Sequence, residues 1–155
     1  MDKPATKDAD WAHRLLQAGV TLFLLGLLTG LVVPVVANPR MGLSSHLEGV
    51  MNGMVLVGLG LLWPRLRLGV SAQRAGFWLA MYGTFVNWAT TLAAAVWGAG
   101  ASMMPIAGAG QQGSALRERV IAFGLLSLSV AMLAVCGLLL YGLRGGLARE
   151  AQDRA

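Results

Sequence analysis

Long stretches without a charge dictate what this chain can fold into. Leu15 to Pro39 is a run of 25 residues with no Asp, Glu, Lys or Arg. A helix of that length crosses ~30 Å of hydrocarbon at about 1.5 Å per residue. A second run, Gly42 to Pro64, is interrupted only by His46 and Glu48 near its start. A third, Ala75 to Leu116, has 42 residues and is too long for one span. Its Gly-rich part, Gly98 through Gly113, reads as a loop. A fourth runs from Val120 to Leu143, with Arg144-Gly145-Gly146 behind it as a stop. The pattern predicts one all-α domain over 1–155, an integral membrane four-helix transmembrane bundle. Its helices are expected over about 14–37, 43–64, 75–97 and 118–143. Pro34 is expected to kink or thin the end of the first helix. Trp63-Pro64-Arg65 is expected to close the second with an interface aromatic, a helix breaker and a charge. A cleavable signal peptide does not fit, because the first run is too long and three similar runs follow.

Composition and charge agree with this reading. Apolar residues make up 56% of the chain and charged residues only 12%, against about a quarter in soluble domains. A disordered chain, a soluble enzyme with an ordinary surface and a disulfide scaffold are thereby excluded. Cys136 is the single cysteine and has no internal partner. The net charge of +5 comes from basic residues at the ends of apolar runs, not from a stripe. That distribution reads as membrane topology and excludes nucleic acid as a partner. Lys3, Lys7, Arg14, Arg65, Arg67, Arg74, Arg144, Arg149 and Arg154 fall on one side, and Arg40, Arg117 and Arg119 on the other. The bias predicts both termini in the cytoplasm. Gly26 with Gly30, and Gly49 with Gly53, have the spacing that lets membrane helices approach closely.

Polar residues at membrane depth are costly and therefore candidates for function. They are His46, Glu48, Asn52 and Asn87, with Thr84, Thr90 and Thr91 beside the last. Seven helical residues turn ~700°, so His46 stands on one face with Gly49 and Gly53. A ligand above a groove free of side chains would suit a planar macrocycle with imidazole on its metal, and His is a common axial ligand of haem iron. The same residues serve equally well as a helix cap and a packing seam. His13, the other His, lies at the opposite membrane face, ~30 Å away, so a bis-His haem within one subunit is not expected. Met51, Met54, Met103 and Met104 are other possible ligands. One His with an open sixth position favours Lewis-acid chemistry over electron relay. Glu48 and Asn52, at i and i+4, share a different face. Glu48 is either a proton carrier or a group that faces lipid headgroups or pairs with Arg40 or Arg117. Asn87 suits an interhelical hydrogen bond. Trp78 and Trp97 suit interface anchoring, and Trp88, in mid-helix, could wall an aromatic ligand. Met103-Met104-Pro105-Ile106 could fold back as a lid. No motif for nucleotide, zinc or acyl chemistry is present.

The stretch Ala37-Asn38-Pro39-Arg40-Met41-Gly42-Leu43-Ser44-Ser45-His46-Leu47-Glu48-Gly49-Val50-Met51-Asn52-Gly53 resembles the bacterial hydroxylaminobenzene mutases. Tyr82 to Trp88 and Trp97 to Gly108 fit the same family, and the likeness covers roughly residues 10–145. It implies an isomerase of nitroarene degradation in the bacterial inner membrane. Such an enzyme moves a hydroxy group from nitrogen to the ortho carbon, from hydroxylaminobenzene to 2-aminophenol, without external oxidant or reductant. A more distant resemblance is to styrene oxide isomerase, through His46 followed by Asn52-Gly53-Met54. That likeness implies a homotrimer with ferric haem b as Lewis acid, His46 as axial ligand and Asn52 near the substrate. Asn87 also matches an Asn of that family. Gly83 and Thr91 stand where it has Asp and Tyr, so styrene oxide is not the expected substrate. On this reading His46 holds the metal above Gly49 and Gly53, while Arg40 and Arg117 meet the haem propionates. Asn52 and Asn87 orient the hydroxylamine, and Glu48 moves a proton. Trp88, Phe85, Thr91 and Met54 surround the ring. The rival readings are an epoxide isomerase and a non-catalytic haem-binding electron-transfer or scaffold subunit.

Overall fold

A computed structural model of the chain describes the backbone of residues 4–152 and the side chains of residues 10–144. Its helices are α1 (Pro4–Val32), α2 (Pro39–Leu62), α3 (Val70–Trp97), the short α4 (Pro105–Gly108) and α5 (Ala115–Gln152). No strand occurs among the described residues. Three stretches are long and apolar enough to cross a membrane: Asp10–Val35, Pro39–Arg65 and Ala115–Arg144. At 28 residues, α3 is about 42 Å long. Gln73, Arg74, Thr84, Asn87, Thr90 and Thr91 dilute its apolar character.

The helix ends differ from those expected, each for a local reason. Pro34 lies in a 3-10 turn, Val33–Val35, so α1 stops at Val32 and not near 37. α2 starts at Pro39, four residues before the expected 43. Asn38 Oδ1 accepts the Met41 N–H at 3.2 Å and Pro39 takes the first helical position, where its missing N–H costs nothing. α3 starts at Val70, because Arg74 ends an apolar run without ending a helix. It terminates at Gly98, whose φ of 58° closes the last turn in the left-handed region. α5 passes through Arg144-Gly145-Gly146, the expected stop, and continues to Gln152. Glycine weakens a helix by about 1 kcal/mol relative to Ala, but ends one only when it turns left-handed.

α1 packs on α2, α2 on α3 and α3 on α5, with a smaller α1–α3 contact. Between α1 and α2 the backbones touch. A Cβ on Gly49 would lie 2.5 Å from Gly26 Cα, and one on Gly53 would lie 2.6 Å from Phe23 N. Trp63 is not an interface aromatic. It is 2% exposed, packed among Ala12, Leu15, Leu59, Leu66 and Phe77, and its Nε1 is unpartnered. Trp78 and Trp97 are exposed towards the two ends of α3.

The α2–α3 turn meets α1 and also α5, where Arg67 N–H donates to Gly142 O at 3.1 Å. The α1–α2 turn lies at the opposite end with the α3–α5 loop, Asn38 N–H donating to Ala95 O near the end of α3 at 2.9 Å. The basic residues expected on one side therefore share an end as far as they are described. Lys3 and Arg154 lie outside the described residues, as do the side chains of Lys7 and Arg149.

Candidate functional site

Ser44, Glu48 and Asn52 follow one another at i+4 down one face of α2. Asn52 Nδ2 donates to Glu48 Oε2 at 3.1 Å, and Asn87 Nδ2 reaches the same oxygen from α3 at 2.5 Å. A carboxylate away from water needs hydrogen-bonded or charged partners, and here two amides provide them. The three expected catalytic residues are thus one cluster. Glu48 takes amides and not the arginines weighed as partners. Each amide commits an N–H to Glu48, so neither is wholly free to orient a ligand.

Glu48 and Asn87, but not Asn52, line a cleft of roughly 670 Å³ between α2, α3, α4 and α5, within the range of small-molecule sites. Arg40, Ser44, Glu48, Asn87 and Thr91 line one side, and Met104, Pro105, Ile106, Ala107 and Leu125 the other. Of the expected lid Met103-Met104-Pro105-Ile106, all but Met103 border the cleft, and Ile106 is 87% exposed. Asn38 Nδ2 donates to Ala107 O at 3.2 Å and Gly108 O at 3.1 Å, and Gln111 Nε2 to Ala37 O at 3.2 Å. At its other edge Glu118 accepts from Gly100 N (2.8 Å), Gly113 N (2.9 Å), Ser102 Oγ (2.8 Å) and Ser102 N (3.4 Å). Sequence reasoning missed Asn38 and Glu118. An Asn-Pro pair before an apolar run is a helix-start signal that could have found the first. Glu118, between two arginines, gave none.

His46 points the other way. Its Nδ1 lies 2.8 Å from Gly26 O in α1, and its ring rests against Gly30. A carbonyl can only accept, so Nδ1 is the donor, and in the neutral ring Nε2 then has its lone pair, the arrangement that orients metal-ligating histidines. Nε2 has no hydrogen-bond partner among the described residues. The axial-ligand chemistry therefore fits, but the expected bed for a macrocycle does not. Gly49 and Gly53 are buried and their groove is filled by α1. Among the described residues no three His, Cys, Asp or Glu stand together to hold a bare metal ion.

The remaining expected residues scatter. Arg40 lines the cleft, whereas Arg117 lies over the Trp97 ring at 5.8 Å and reaches Trp97 O at 3.5 Å. Trp88 does not line the cleft. Its Nε1 donates to Thr29 Oγ1 at 3.0 Å and its ring presses on Gly49, which ties α3 to the α1–α2 seam. Phe85 packs on the main core and Met54 is exposed on α2. Only Thr91 of the ring-facing set lines the cleft, with its hydroxyl donating back to Asn87 O at 2.9 Å.

Comparison with known proteins adds a second line of evidence. The sequence profile described as styrene oxide isomerase matches residues 11–144. The chain is 59% identical over 150 residues to hydroxylaminobenzene mutase HabB of Ectopseudomonas oleovorans, covering 97% of this chain and 91% of that one. It is 51% identical over 129 residues to hydroxylaminobenzene mutase HabA of the same organism, covering 83% and 96%. No solved structure matches the chain.

Proposed function

This chain belongs to the styrene oxide isomerase family, and from that premise we propose that it is a hydroxylaminobenzene mutase, an isomerase converting hydroxylaminobenzene to 2-aminophenol. The observation that carries the reading is Glu48, bonded to Asn52 and Asn87, at a cleft it lines with Asn87, in a chain 59% identical to a protein of that name. The reaction breaks the N–O bond and forms a C–O bond at the ortho carbon. The ortho carbon loses a proton and nitrogen gains one, so atoms balance without a redox partner. Glu48, the acid in the cleft, accepts the ring proton and returns one to nitrogen. Asn52 and Asn87 hold its carboxyl group in place. Met104, Ala107 and Leu125 take the ring.

Haem b is the proposed cofactor, with His46 Nε2 as its iron ligand. When bound it would supply a ferric Lewis acid for the hydroxylamine oxygen. Of the two proposed propionate partners, Arg40 lines the Glu48 cleft and Arg117 is engaged with Trp97. We also propose that α3 crosses the membrane with α1, α2 and α5 as a four-helix bundle, since its 28 residues connect the same two ends. The bundle would lie in the bacterial inner membrane with both termini cytoplasmic. The assembly proposed is a homotrimer. His46 and Glu48 leave α2 towards α1 and α3 respectively, so one chain does not turn both to the same cleft.

The test is an absorption spectrum of purified wild type and His46→Ala, with 2-aminophenol formation assayed in both. A Soret band lost together with activity supports the haem reading. An active, colourless wild type removes haem and leaves the Glu48 cluster. No 2-aminophenol from wild type refutes the mutase.

A further inference from the structure

Glu118 touches nothing in the polar cluster, yet it organises the wall opposite. Its two carboxylate oxygens gather Gly100, Ser102 and Gly113, residues from both ends of the loop that carries α4. The loop holds one costly backbone shape between those points: Ala109, which carries a Cβ, has φ 52°. Such a conformation persists only where surrounding bonds over-determine it. Gly113 is also closely fitted, since a Cβ there would lie 2.6 Å from Ala99 Cβ. Asn38 holds the far side of α4 through Ala107 O and Gly108 O. The short helix is thus suspended between two polar clamps, with Met104 and Ala107 packed at the cleft and Ile106 bordering it but 87% exposed.

We propose that Glu118 is a positioning residue that sets ring selectivity, by holding the Met104–Ala107 wall at a defined distance from Glu48. The inference rests on the mutase reading for its substrate class, arylhydroxylamines. A rigid apolar wall discriminates by ring bulk, because a misfit on one side of a cleft cannot be relieved when the other side is fixed. A loosened wall binds the small ring less well and tolerates a larger one. Chemistry at Glu48 is not altered, so the effect falls on KM and on selectivity more than on kcat.

The experiment uses the full chain in lipid vesicles, with hydroxylaminobenzene and its 4-tert-butyl derivative as substrates. Glu118→Gln should raise KM for the parent compound about tenfold, the scale of a lost hydrogen bond to a charged group, with kcat changed less than about threefold. The kcat/KM ratio of bulky to parent substrate should rise about fivefold. Glu118→Asp should recover part of both changes. Met104→Ala trims the wall without touching the clamp and should move selectivity in the same direction, which tests the idea even if Glu118→Gln fails to fold. Unchanged selectivity in a folded Glu118→Gln, or a fall in kcat at unchanged KM, overturns the proposal. Amide exchange gives a readout independent of turnover: Gly100 and Gly113 should exchange faster in Glu118→Gln, and equal rates overturn the clamp. If wild type forms no 2-aminophenol while the exchange difference is seen, the mutase reading fails and the clamp stands.

Discussion

Gly49→Ala probes the seam on which the site depends. Its Cβ would fall 2.5 Å from Gly26 Cα, 2.9 Å from Gly26 N and 2.9 Å from Trp88 Cδ1. Ordinary contact begins at 3.4 Å, so α1 must retreat by about 0.9 Å, a gap that forfeits a quarter to a half of each affected dispersion contact. Two obstacles are backbone and cannot rotate away. Overpacking of this kind costs about 1–3 kcal/mol, or a fall in Tm of roughly 2–12 °C for a chain of this size. The same retreat stretches the His46 Nδ1–Gly26 O bond from 2.8 Å to about 3.7 Å, beyond hydrogen-bond range. His46 then loses the contact that orients it. Gly58→Ala is the control. Nothing lies within 4 Å of its Cβ position, so it should hold or gain about 0.5–1 kcal/mol from helix propensity. Thermal unfolding in detergent, followed by circular dichroism, reads both variants. A Gly49→Ala protein that melts with wild type would refute backbone-to-backbone packing of α1 on α2.

Other outcomes follow from the same geometry. Glu48→Gln keeps an oxygen to accept the two amides but removes the proton carrier, so kcat for 2-aminophenol should fall about 10²–10⁴-fold with little change in Tm; unchanged kcat would end its role. Trp88→Phe loses the bond to Thr29 Oγ1 and should cost about 1 kcal/mol of stability without altering ring selectivity, whereas a selectivity change would return Trp88 to the cleft. Asn38→Ala removes a helix cap, typically about 0.5–2 kcal/mol, together with both α4 bonds, and should raise KM as well as lower Tm.

Much of the fold was legible in the charge-free runs, because hydrocarbon tolerates few charges and a helix needs a minimum length to cross it. Helix ends were less legible. Charge marks where an apolar run stops, while Asn38 capping, Pro34 and the left-handed Gly98 decide where the helices begin and end. In the site, the i+4 spacing of Glu48 and Asn52 put them together from sequence alone. Asn87 is 39 residues beyond Glu48, and no periodicity within one helix could join it to them. Helical arithmetic rightly placed His46, Gly49 and Gly53 on one face, but a glycine face is equally a bed for a ligand or a seat for another helix.

Helicity and a chain built for a membrane are both written in the order of the residues, since both properties rest on local composition summed over a turn or a span. So is the set of polar residues that had to find partners there. Which partners they found depended on how the helices pack. Packing gave Glu48 two amides, His46 the Gly26 carbonyl, Trp88 the Thr29 hydroxyl and the loop its Glu118 clamp. The physical reason is range. Propensity and hydropathy act between near neighbours in the chain, whereas a hydrogen bond between helices exists only after packing has set their rotation and depth.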